Sequence, residues 1–315
     1  MVDSQKQELQ NQLSIIPNLI SSDTPFGKGD SDNKVIKVVG DPTPQTYDYL
    51  KIANKHGLDL PTAVKLSKSR FSVMSGDVAK LQRKLLNNAI DFYEQHSYEF
   101  HYLPYLVNEQ TMFGTGQFPK FKDDLFKSDD LFLIPTGEVP LTNLFASTTL
   151  TDPNFVFSGM TQTPCFRKEA GSAGKDTTGI IRQHQFEKVE LVKVCTPQNA
   201  EFQFQKLLDD IEQFIASFNI PYRIIQLCSG DVGFSGHRAF DIEVWFPSQN
   251  IYREVASITW CSDFQARRMG AKFKNGKKSE YLHTMNGTGL AAGRMMAALI
   301  DNFGEDIFMK NAVQI

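Results

Sequence analysis

Residues 163–190 read TPCFRKEAGSAGKDTTGIIRQHQFEKVE, two strand-like segments joined by a glycine-containing loop at 171–176. Side chains alternate between the faces of a strand, so Arg167 and Glu169 share one face of the first segment. One face of the returning segment carries Arg182, His184, Phe186, Lys188 and Glu190. A half-buried strand normally has one apolar face, but neither face is apolar here before Val189. The pattern therefore indicates a sheet hairpin with an unusually polar face.

This polar hairpin suits an anionic ligand that carries an aromatic ring. An arginine can bind phosphate in a bidentate way, and a phenylalanine can stack on a base. The alternative is a solvated hairpin whose charges pair across the two strands. Alternation alone leaves both interpretations open.

A second glycine-rich stretch lies near the end of the chain, where residues 282–294 read LHTMNGTGLAAGR. The glycines allow a backbone or a ligand to approach closely, and a helix that follows would present Arg294. The spacing G-x-G-x-x-x-G, with no following βαβ unit, excludes a dinucleotide-binding fingerprint. The alternative to a ligand site is a tightly packed turn between a strand and a helix.

Two further stretches are weaker signals. Residues 252–257, YREVAS, follow the acidic residues Asp241 and Glu243. Glu254 and Ser257 could supply oxygen ligands to a magnesium ion that also holds phosphates, but strict alternation places them on opposite faces. That hypothesis requires a bulge or a strand end. Residues 133–138, LIPTGE, read as a strand that ends in three polar or small residues.

The periodicity of apolar residues predicts an α+β fold. Apolar residues at helical spacing predict helices at 5–16, 77–98 and 202–218 and from about residue 290 onward. Strand-like runs occupy 100–105, 131–135, 161–168, 186–194, 222–227, 240–246 and 251–257. Successive strands joined by turns, with helices grouped elsewhere, favour an antiparallel sheet with helices packed on it.

Composition narrows the class of protein. The 315 residues carry a formal net charge of −3, which disfavours binding of nucleic acid through bulk electrostatics. No pair of the four cysteines has C-x-x-C spacing, so buried reduced thiols are expected rather than zinc ligands or disulfides. No apolar run is long enough to span a bilayer, and the first residues have no apolar signal core. We expect a soluble intracellular protein.

Taken together, the four stretches resemble the seryl-tRNA synthetases, which are class II aminoacyl-tRNA synthetases. Residues 166–190 are similar to motif 2 of that family and residues 286–294 to motif 3. Further similar segments are 111–117, 241–245 and 263–268, and the likeness runs from about residue 16 to residue 302. Several motifs in the order and spacing of the family favour the ligand-binding interpretation of both glycine-containing stretches.

The resemblance implies a fold and an assembly. The family has a six-stranded antiparallel sheet flanked by helices and acts as a homodimer through motif 1, which would be residues 85–104 here. It also implies an ATP-dependent serine–tRNA ligase in the cytoplasm, an organelle being the alternative. Its substrates would be L-serine, ATP and tRNA-Ser, with Mg²⁺ as cofactor.

The resemblance also assigns roles to residues. The catalytic pair would be Arg167, on the α-phosphate, and Arg294, which covers the adenine and meets the γ-phosphate. Phe186 would stack on the adenine, and Glu254 and Ser257 would bind Mg²⁺. Other members of the implied ATP site are Lys168, Glu169, Val255 and Ala256. The implied serine site consists of Thr136, Gly137, Glu138, Glu190, which would take the ammonium, and Thr288, which would lie near the hydroxyl.

The chain departs from the family pattern at three places. Gly137 stands where alanine is usual, and Ser97 where motif 1 usually has glycine. Residues 258–260, ITW, replace the usual Cys-Ser-Asn, which is expected to put bulk beside the ATP site. We expect residues 1–25 to be a lead-in, the stub of a helical arm, and residues 26–315 to be the catalytic domain. Because the arm would be missing, tRNA charging is expected to be weak. The alternative to a catalytic enzyme is a non-catalytic paralogue that acts as a dimeric binding or regulatory module.

Overall fold

The computed structural model describes residues 2–44, 47–169 and 179–309, so the loop at 171–176 lies outside the described residues. The helices, in chain order, are α1 Val2–Ser14, α2 Tyr49–Lys55, α3 Leu60–Leu66, α4 Gly76–Gln95, α5 Glu109–Gly114, α6 Glu138–Thr142, α7 Ala200–Ala216, α8 Phe264–Met269 and α9 Ala292–Phe303. Within the described ranges, every helix is too short or too polar to cross a bilayer.

The strands are mostly short, apart from five of nine residues or more that build the centre of the molecule. In chain order they are β1 Lys34–Val39, β2 Leu58–Asp59, β3 Val73–Met74, β4 Glu99–Phe100, β5 Leu106–Val107, β6 Lys127–Ser128, β7 Leu131–Leu133, β8 Thr149–Leu150, β9 Val156–Phe166, β10 Gln185–Cys195, β11 Tyr222–Gln226, β12 Arg238–Phe246, β13 Ile251–Ser262, β14 Lys272–Asn275, β15 Lys278–Tyr281 and β16 His283–Ala291.

The main sheet has eight strands in the order β1-β11-β12-β13-β16-β10-β9-β4. The six strands from β11 to β9 pair with one another antiparallel, which confirms the predicted six-stranded antiparallel sheet. The structure adds β1 antiparallel at one edge and β4 parallel at the other. The expected strand at 100–105 is reduced to the two residues of β4, because the chain leaves the sheet edge after Phe100.

One face of this sheet is covered by α4, α7 and α9, and we call the other face the site face. Gly287 of β16 lies on the helix-covered face, where a Cβ at this position would be 2.5 Å from Ile211 Cδ1 of α7. The neighbouring Asn286 and Thr288 therefore point to the site face, because side chains alternate along a strand. The four cysteines are buried and reduced, as predicted.

The second glycine-rich stretch is a central strand, which the predicted strand-like runs did not include, rather than the turn that was considered as the alternative to a ligand site. Residues 283–291 form β16 between β13 and β10, and the final helix begins at Ala292 instead of near Leu290. The glycines are needed for close packing: a Cβ at Gly289 would be 2.8 Å from the ring of Tyr93. A glycine-rich strand is hard to predict from sequence, because glycine has a low strand propensity. Its conformation is determined by the neighbouring strands of the sheet.

Two β-bulges turn key side chains toward the site face. In β13, Val255 is an extra residue without a pairing partner on β12. Asp241 therefore lies opposite Ser257, and Glu243 lies opposite Glu254. This extra residue brings Glu254 and Ser257 to one face, which is the condition that the magnesium hypothesis required. In β16 the pairing with β10 passes over Gly289 and sets Thr288 opposite Glu190.

The aromatic substitution at residue 260 lies on the helix-covered face, so the expected bulk beside the ATP site is wrong. The Trp260 ring packs 5.8 Å from that of Phe204 on α7. Ile258 is fully buried and lies next to Gly287 on the same face. Only Thr259, paired with Asn286, points to the site face. Strand alternation places the two bulky residues in the core, where apolar side chains are favourable.

The backbone conformation of Ser97, just after α4, predicts a stabilising substitution. Ser97 follows α4 with φ +67°, and the N–H groups of Ser97 and Tyr98 close the turn on carbonyls of the last helical turn. Glycine adopts this left-handed conformation without the steric cost that a Cβ adds. We expect Ser97→Gly to stabilise the fold by about 1 kcal/mol and to raise the melting temperature by about 2 °C. Ser97→Ala, the matched control, should give no gain; a glycine variant that melts at or below the parent would contradict this.

Candidate active site

A cavity of about 530 Å³ opens on the site face, where β10 and β13 meet the start of α9. Its wall is formed by the two motifs and the β13 bulge. The lining residues are Arg167, Glu169, Ile180, Ile181, Arg182, Gln183, Phe186, Lys188, Glu254, Val255, Thr288, Ala291, Gly293 and Arg294.

Arg167 and Phe186 form one wall of the cavity. Nε of Arg167 donates a hydrogen bond of 3.1 Å to the carbonyl of Pro135, which holds the guanidinium at the cavity edge. The guanidinium carbon lies 5.3 Å from the centre of the Phe186 ring. A planar cation and an aromatic face therefore stand side by side, as a nucleotide ligand requires.

Arg294 forms the opposite wall at the first turn of α9. Its terminal nitrogen donates to a Glu254 carboxylate oxygen at 2.9 Å, and its Nε donates to the carbonyl of Ile181 at 3.2 Å. The Arg294 charge lowers the pKa of the Glu254 carboxyl below its usual value, with Arg167 contributing less. Glu254 therefore stays ionised, and the two arginines face a carboxylate between them.

The rim of the cavity contains an ion pair between Arg182 and Glu169, of which the family resemblance implied only Glu169. Arg182 donates to Glu169 Oε2 at 2.7 Å, and both side chains are partly buried. Glu169 has φ +54°, an unusual conformation for a residue with a Cβ. Alternation along the returning strand had already placed Arg182 on the polar face, but without a role. The structure pairs it with the motif residue.

A second, buried cluster lies beside Phe186, centred on Glu190. Thr136 Oγ1 donates to Glu190 Oε2 at 3.0 Å, and Lys188 Nζ donates to Thr136 Oγ1 at 2.8 Å. Lys188 also forms a short ion pair with Glu190, and all three residues are at most 5% exposed. The family resemblance implies no role for Lys188, although alternation along the strand places it on the face of Glu190. A buried carboxylate needs such a partner, because an unpaired charge in the interior is costly.

Glu138 lies beside this cluster and is bound by two amides from distant elements. Its Oε1 accepts 2.7 Å from Gln265 of α8 and 2.9 Å from Asn286 of β16. Burial raises the pKa of the Glu138 carboxyl to about 7, and the charge of Glu190 adds to this shift. No local pattern predicts these amides, because they come from residues more than 100 positions away in the chain.

The bulge in β13 creates a group of oxygen ligands next to the cavity. Asp241 is hydrogen-bonded to Ser257, and burial followed by the charge of Glu254 raises its pKa well above the usual value. Its Oδ1 is buried without a hydrogen-bond partner among the described residues. Carboxylate and hydroxyl oxygens are the ligands that Mg²⁺ prefers, usually with substrate phosphates completing its shell. The residues present therefore fit a magnesium ion, although no group of three or more His, Cys, Asp or Glu suited to a metal occurs within the described ranges.

The structure separates two of the implied ATP-site residues from the cavity. Lys168 is exposed, its N–H donates to the carbonyl of Asp124, and its side chain lines a neighbouring groove. Ala256 is 2% exposed and packs in the main core. The remaining implied residues line the cavity or the adjoining cluster, with Ser257 beside Asp241.

Comparison with known proteins gives concordant matches. Residues 120–303, more than half of the chain, match the tRNA synthetase class II core domain (G, H, P, S and T). The serine–tRNA ligase of Helicobacter pylori strain J99 is 47% identical over 307 residues, which is 96% of this chain and 74% of that protein. The serine–tRNA ligase of Nautilia profundicola is 47% identical over 302 residues, 94% of this chain and 72% of that protein.

Solved structures agree with these relatives. Seryl-tRNA synthetase from Pyrococcus horikoshii, solved with ATP, superposes with a TM-score of 0.89 and 33% identity over 97% of this chain and 75% of that one. The cytoplasmic serine–tRNA ligase from Naegleria fowleri, solved with AMP, has a TM-score of 0.89 and 29% identity over 96% and 74%. Sequence, fold and the arrangement of the cavity agree, and the chain belongs to the serine–tRNA ligases of class II.

Proposed function

We propose that the cavity binds ATP and the Glu190 cluster binds L-serine, so that the enzyme forms seryl-adenylate and transfers the seryl group to tRNA-Ser. One observation carries this proposal. The arginine and phenylalanine of the cavity wall adjoin a buried carboxylate, so a nucleotide and an amino acid could lie in contact. The charged side chains that the family resemblance implies for the site are all present in this chain. They give no support to a non-catalytic paralogue, because unused buried charges are costly.

The first step would be an in-line displacement at phosphorus. The serine carboxylate attacks the α-phosphate, forming a carboxylate–phosphate bond, and pyrophosphate leaves with the electron pair of the broken bond. The carboxylate is already ionised, so the step needs no general base. Positioning and charge stabilisation would therefore provide the catalysis. Arg167 would bind the crowded α-phosphate, and Arg294 would cover the adenine and meet the departing phosphates.

Serine would be held by its ammonium and recognised by its hydroxyl. Glu190 would take the ammonium, with Thr136 and Lys188 keeping its carboxylate in place. Thr288, opposite Glu190 in the sheet, and Glu138 would lie near the hydroxyl. A site that hydrogen-bonds a substrate hydroxyl rejects the analogue without it by about 10⁴–10⁵, so alanine would be excluded without editing.

Mg²⁺ would be held by Glu254 and Ser257, whose oxygens share the site face. A bound Mg²⁺ offsets negative charge on phosphates. Lys168, by contrast, is not part of the proposed ATP site, because its side chain points into the neighbouring groove.

The assembly, the domain division and the cellular location stay predictions. We propose a homodimer through residues 85–104, which include the end of α4 and the edge strand β4. Light scattering behind size exclusion would test it, and a monomer at micromolar concentration would contradict it. The division into residues 1–25 and 26–315 and the cytoplasmic location rest on the family resemblance.

Serine-dependent exchange of labelled pyrophosphate into ATP tests the proposed function. The exchange reports the reversible first step and does not require tRNA. We expect exchange with serine and at least a thousandfold less with alanine. If saturating serine produces no exchange above a sample without enzyme, the proposed function is wrong.

The raised pKa of Glu138 predicts a pH dependence of serine binding. With a pKa of about 7, this carboxyl is half protonated at neutral pH. The serine ammonium favours the ionised form, so affinity should increase as pH rises through 7 and decrease below it, by up to about tenfold between pH 8 and pH 6. Calorimetric titration at pH 6, 7 and 8 measures this. Glu138→Gln controls for titration of serine itself, and an equal slope in parent and variant would contradict the assignment.

A further inference from the structure

The segments 111–117 and 263–268 lie against each other in the structure, although the family resemblance gave neither of them a role in the site. Arg268 of α8 donates through Nε to the carbonyl of Phe113 at 2.9 Å and through a terminal nitrogen to the carbonyl of Phe118 at 2.6 Å. Its guanidinium carbon lies 4.2 Å from the centre of the Phe113 ring. Gln265, also on α8, donates to the carbonyl of Thr115 at 3.2 Å. Two side chains of α8 therefore hold residues 113–118 in place.

The side-chain amide of Gln265 has only one orientation that satisfies its neighbours. Gln265 is fully buried, and its Nε2 donates to the Thr115 carbonyl and to Glu138 Oε1. Its Oε1 accepts a hydrogen bond of 2.6 Å from the hydroxyl of Thr284 on β16. A carbonyl and an ionised carboxylate can only accept, so a flipped amide would set oxygen against oxygen at both of them. Gln265 is therefore a fixed donor toward Glu138.

Both hydrogen bonds that the Glu138 carboxylate accepts end on the same oxygen. Oε1 accepts from Gln265 and from Asn286, whereas Oε2 receives no hydrogen bond from the described part of the chain. Rotation of the carboxylate would break two hydrogen bonds to a charged group, which are stronger than those between neutral groups. The two amides therefore determine which oxygen is left to accept a hydrogen bond from a substrate.

We propose that Gln265 is a positioning residue for serine recognition, which holds Glu138 so that its Oε2 accepts the hydroxyl of the substrate. This inference rests on the proposed function, because it assumes that serine lies at the Glu190 cluster with its hydroxyl near Glu138. Gln265 does not line the cavity and acts through Glu138. Thr284 fixes the orientation of the amide, and Arg268 holds the loop that supplies the Thr115 carbonyl.

The pH dependence of serine binding reports on the hydrogen bond between Gln265 and Glu138. Burial, followed by the charge of Glu190, raises the pKa of the Glu138 carboxyl to about 7, and the hydrogen bond from Gln265 lowers it. Without this hydrogen bond the pKa of Glu138 should be higher, so the loss of serine affinity on acidification should begin at a higher pH. The other titratable groups that face Glu138 are unchanged in the variants below: Glu190, Lys188, Arg167 and Cys261.

Pyrophosphate exchange with Gln265→Met tests the proposal, because methionine keeps the length of the side chain but cannot donate. We expect the KM for serine to rise about ten- to hundredfold, as the loss of a hydrogen bond to a charged group predicts. The KM for ATP should stay within about twofold of the parent, and so should the inhibition constant of L-alanine, which has no hydroxyl. An equal rise in all three constants would indicate a general structural defect and would overturn the proposal.

Thr284 allows a second test that leaves Gln265 in place. Thr284→Val removes the hydroxyl that orients the amide and should raise the KM for serine about three- to tenfold, whereas Thr284→Ser keeps the hydroxyl and should match the parent. Thr142→Val is the matched control and should change nothing. Thr142 is a buried threonine on α6, the helix of Glu138, and its hydroxyl has no hydrogen-bond partner among the described residues.

Three results would overturn Gln265 as a positioning residue. They are an equal KM for serine in Thr284→Val and Thr284→Ser, a loss in Thr142→Val as large as that in Thr284→Val, and a pH dependence of serine binding that does not move in Gln265→Met. Absence of exchange in the parent would instead refute the proposed function.

Discussion

Replacing Arg167 with alanine is expected to lower serine-dependent pyrophosphate exchange by about 10³-fold or more. The guanidinium stands at the cavity wall, held by the Pro135 carbonyl at 3.1 Å and placed beside the Phe186 ring. Removing one preorganised donor from a site of developing charge costs about 10²–10³ in rate, and removing an arginine from a phosphoryl-transfer site costs about 10³–10⁵. The loss should appear in kcat more than in the KM for serine, because Arg167 is assigned to the α-phosphate, whereas the Glu190 carboxylate is held by Thr136 and Lys188.

Two controls make the Arg167 result specific. Arg267→Ala removes an exposed arginine of α8 that pairs with Asp263, and it should leave exchange unchanged. Arg167→Lys keeps the charge but not the planar guanidinium, so its exchange rate should lie between those of the alanine variant and the parent. Size exclusion and the melting temperature should match those of the parent in all three variants. An Arg167→Ala enzyme that kept most of its exchange rate would show that motif 2 is wrongly assigned.

Alternation along the motif 2 hairpin predicted the polar face of the site well. Phe186, Lys188 and Glu190 share the face that lines the cavity and the buried cluster, as period two requires. The prediction is confirmed within β10, because polar side chains on a sheet face are local information. It is wrong for His184, which precedes the strand and lines the neighbouring groove instead of the cavity. The resemblance to the family then separated a ligand site from a solvated hairpin, which alternation could not do.

Long-range contacts limited the prediction of the site. Gln265 and Asn286 reach Glu138 from α8 and β16, and their pairing depends on the finished sheet order. The bulge at Val255 is visible only in the register of β12 and β13. A strict alternation rule therefore placed Glu254 and Ser257 on opposite faces, and the family resemblance alone favoured their proximity.

The prediction of β16 failed for a different physical reason. Glycine has little strand propensity, so residues 283–291 were not among the predicted strands, while the packing of α7 and Tyr93 against this strand leaves no room for side chains at its glycines. The same limit applies to Trp260: its burial against α7 follows from which face of β13 it occupies. Tertiary packing decided both positions, and a single sequence does not report it.

Substituting Gly137 with alanine is expected to weaken serine binding by about 10- to 100-fold. Gly137 has φ −62° and ψ −18°, a conformation open to any residue, so the backbone does not require glycine. The surrounding space does require glycine, because an added Cβ would be 2.6 Å from Thr161 Cγ2 and 3.3 Å from Glu190 Cβ. Overpacking of this kind costs about 1–3 kcal/mol, and here it would displace the turn that carries Thr136 against Glu190. The KM for serine in pyrophosphate exchange measures the effect.

The Thr161 methyl is the group that a Cβ at residue 137 would meet first, and it provides the decisive control. Thr161 is fully buried, and its Oγ1 donates to the carbonyl of His101 at 2.8 Å. Thr161→Ser keeps that hydrogen bond and removes only the methyl that the new Cβ would meet. The double variant Gly137→Ala with Thr161→Ser should therefore recover most of the serine affinity, while Thr161→Ser alone should change it little. If the double variant is as impaired as Gly137→Ala alone, residue 137 is constrained by something other than the Thr161 methyl, because non-additivity is expected only for groups in contact.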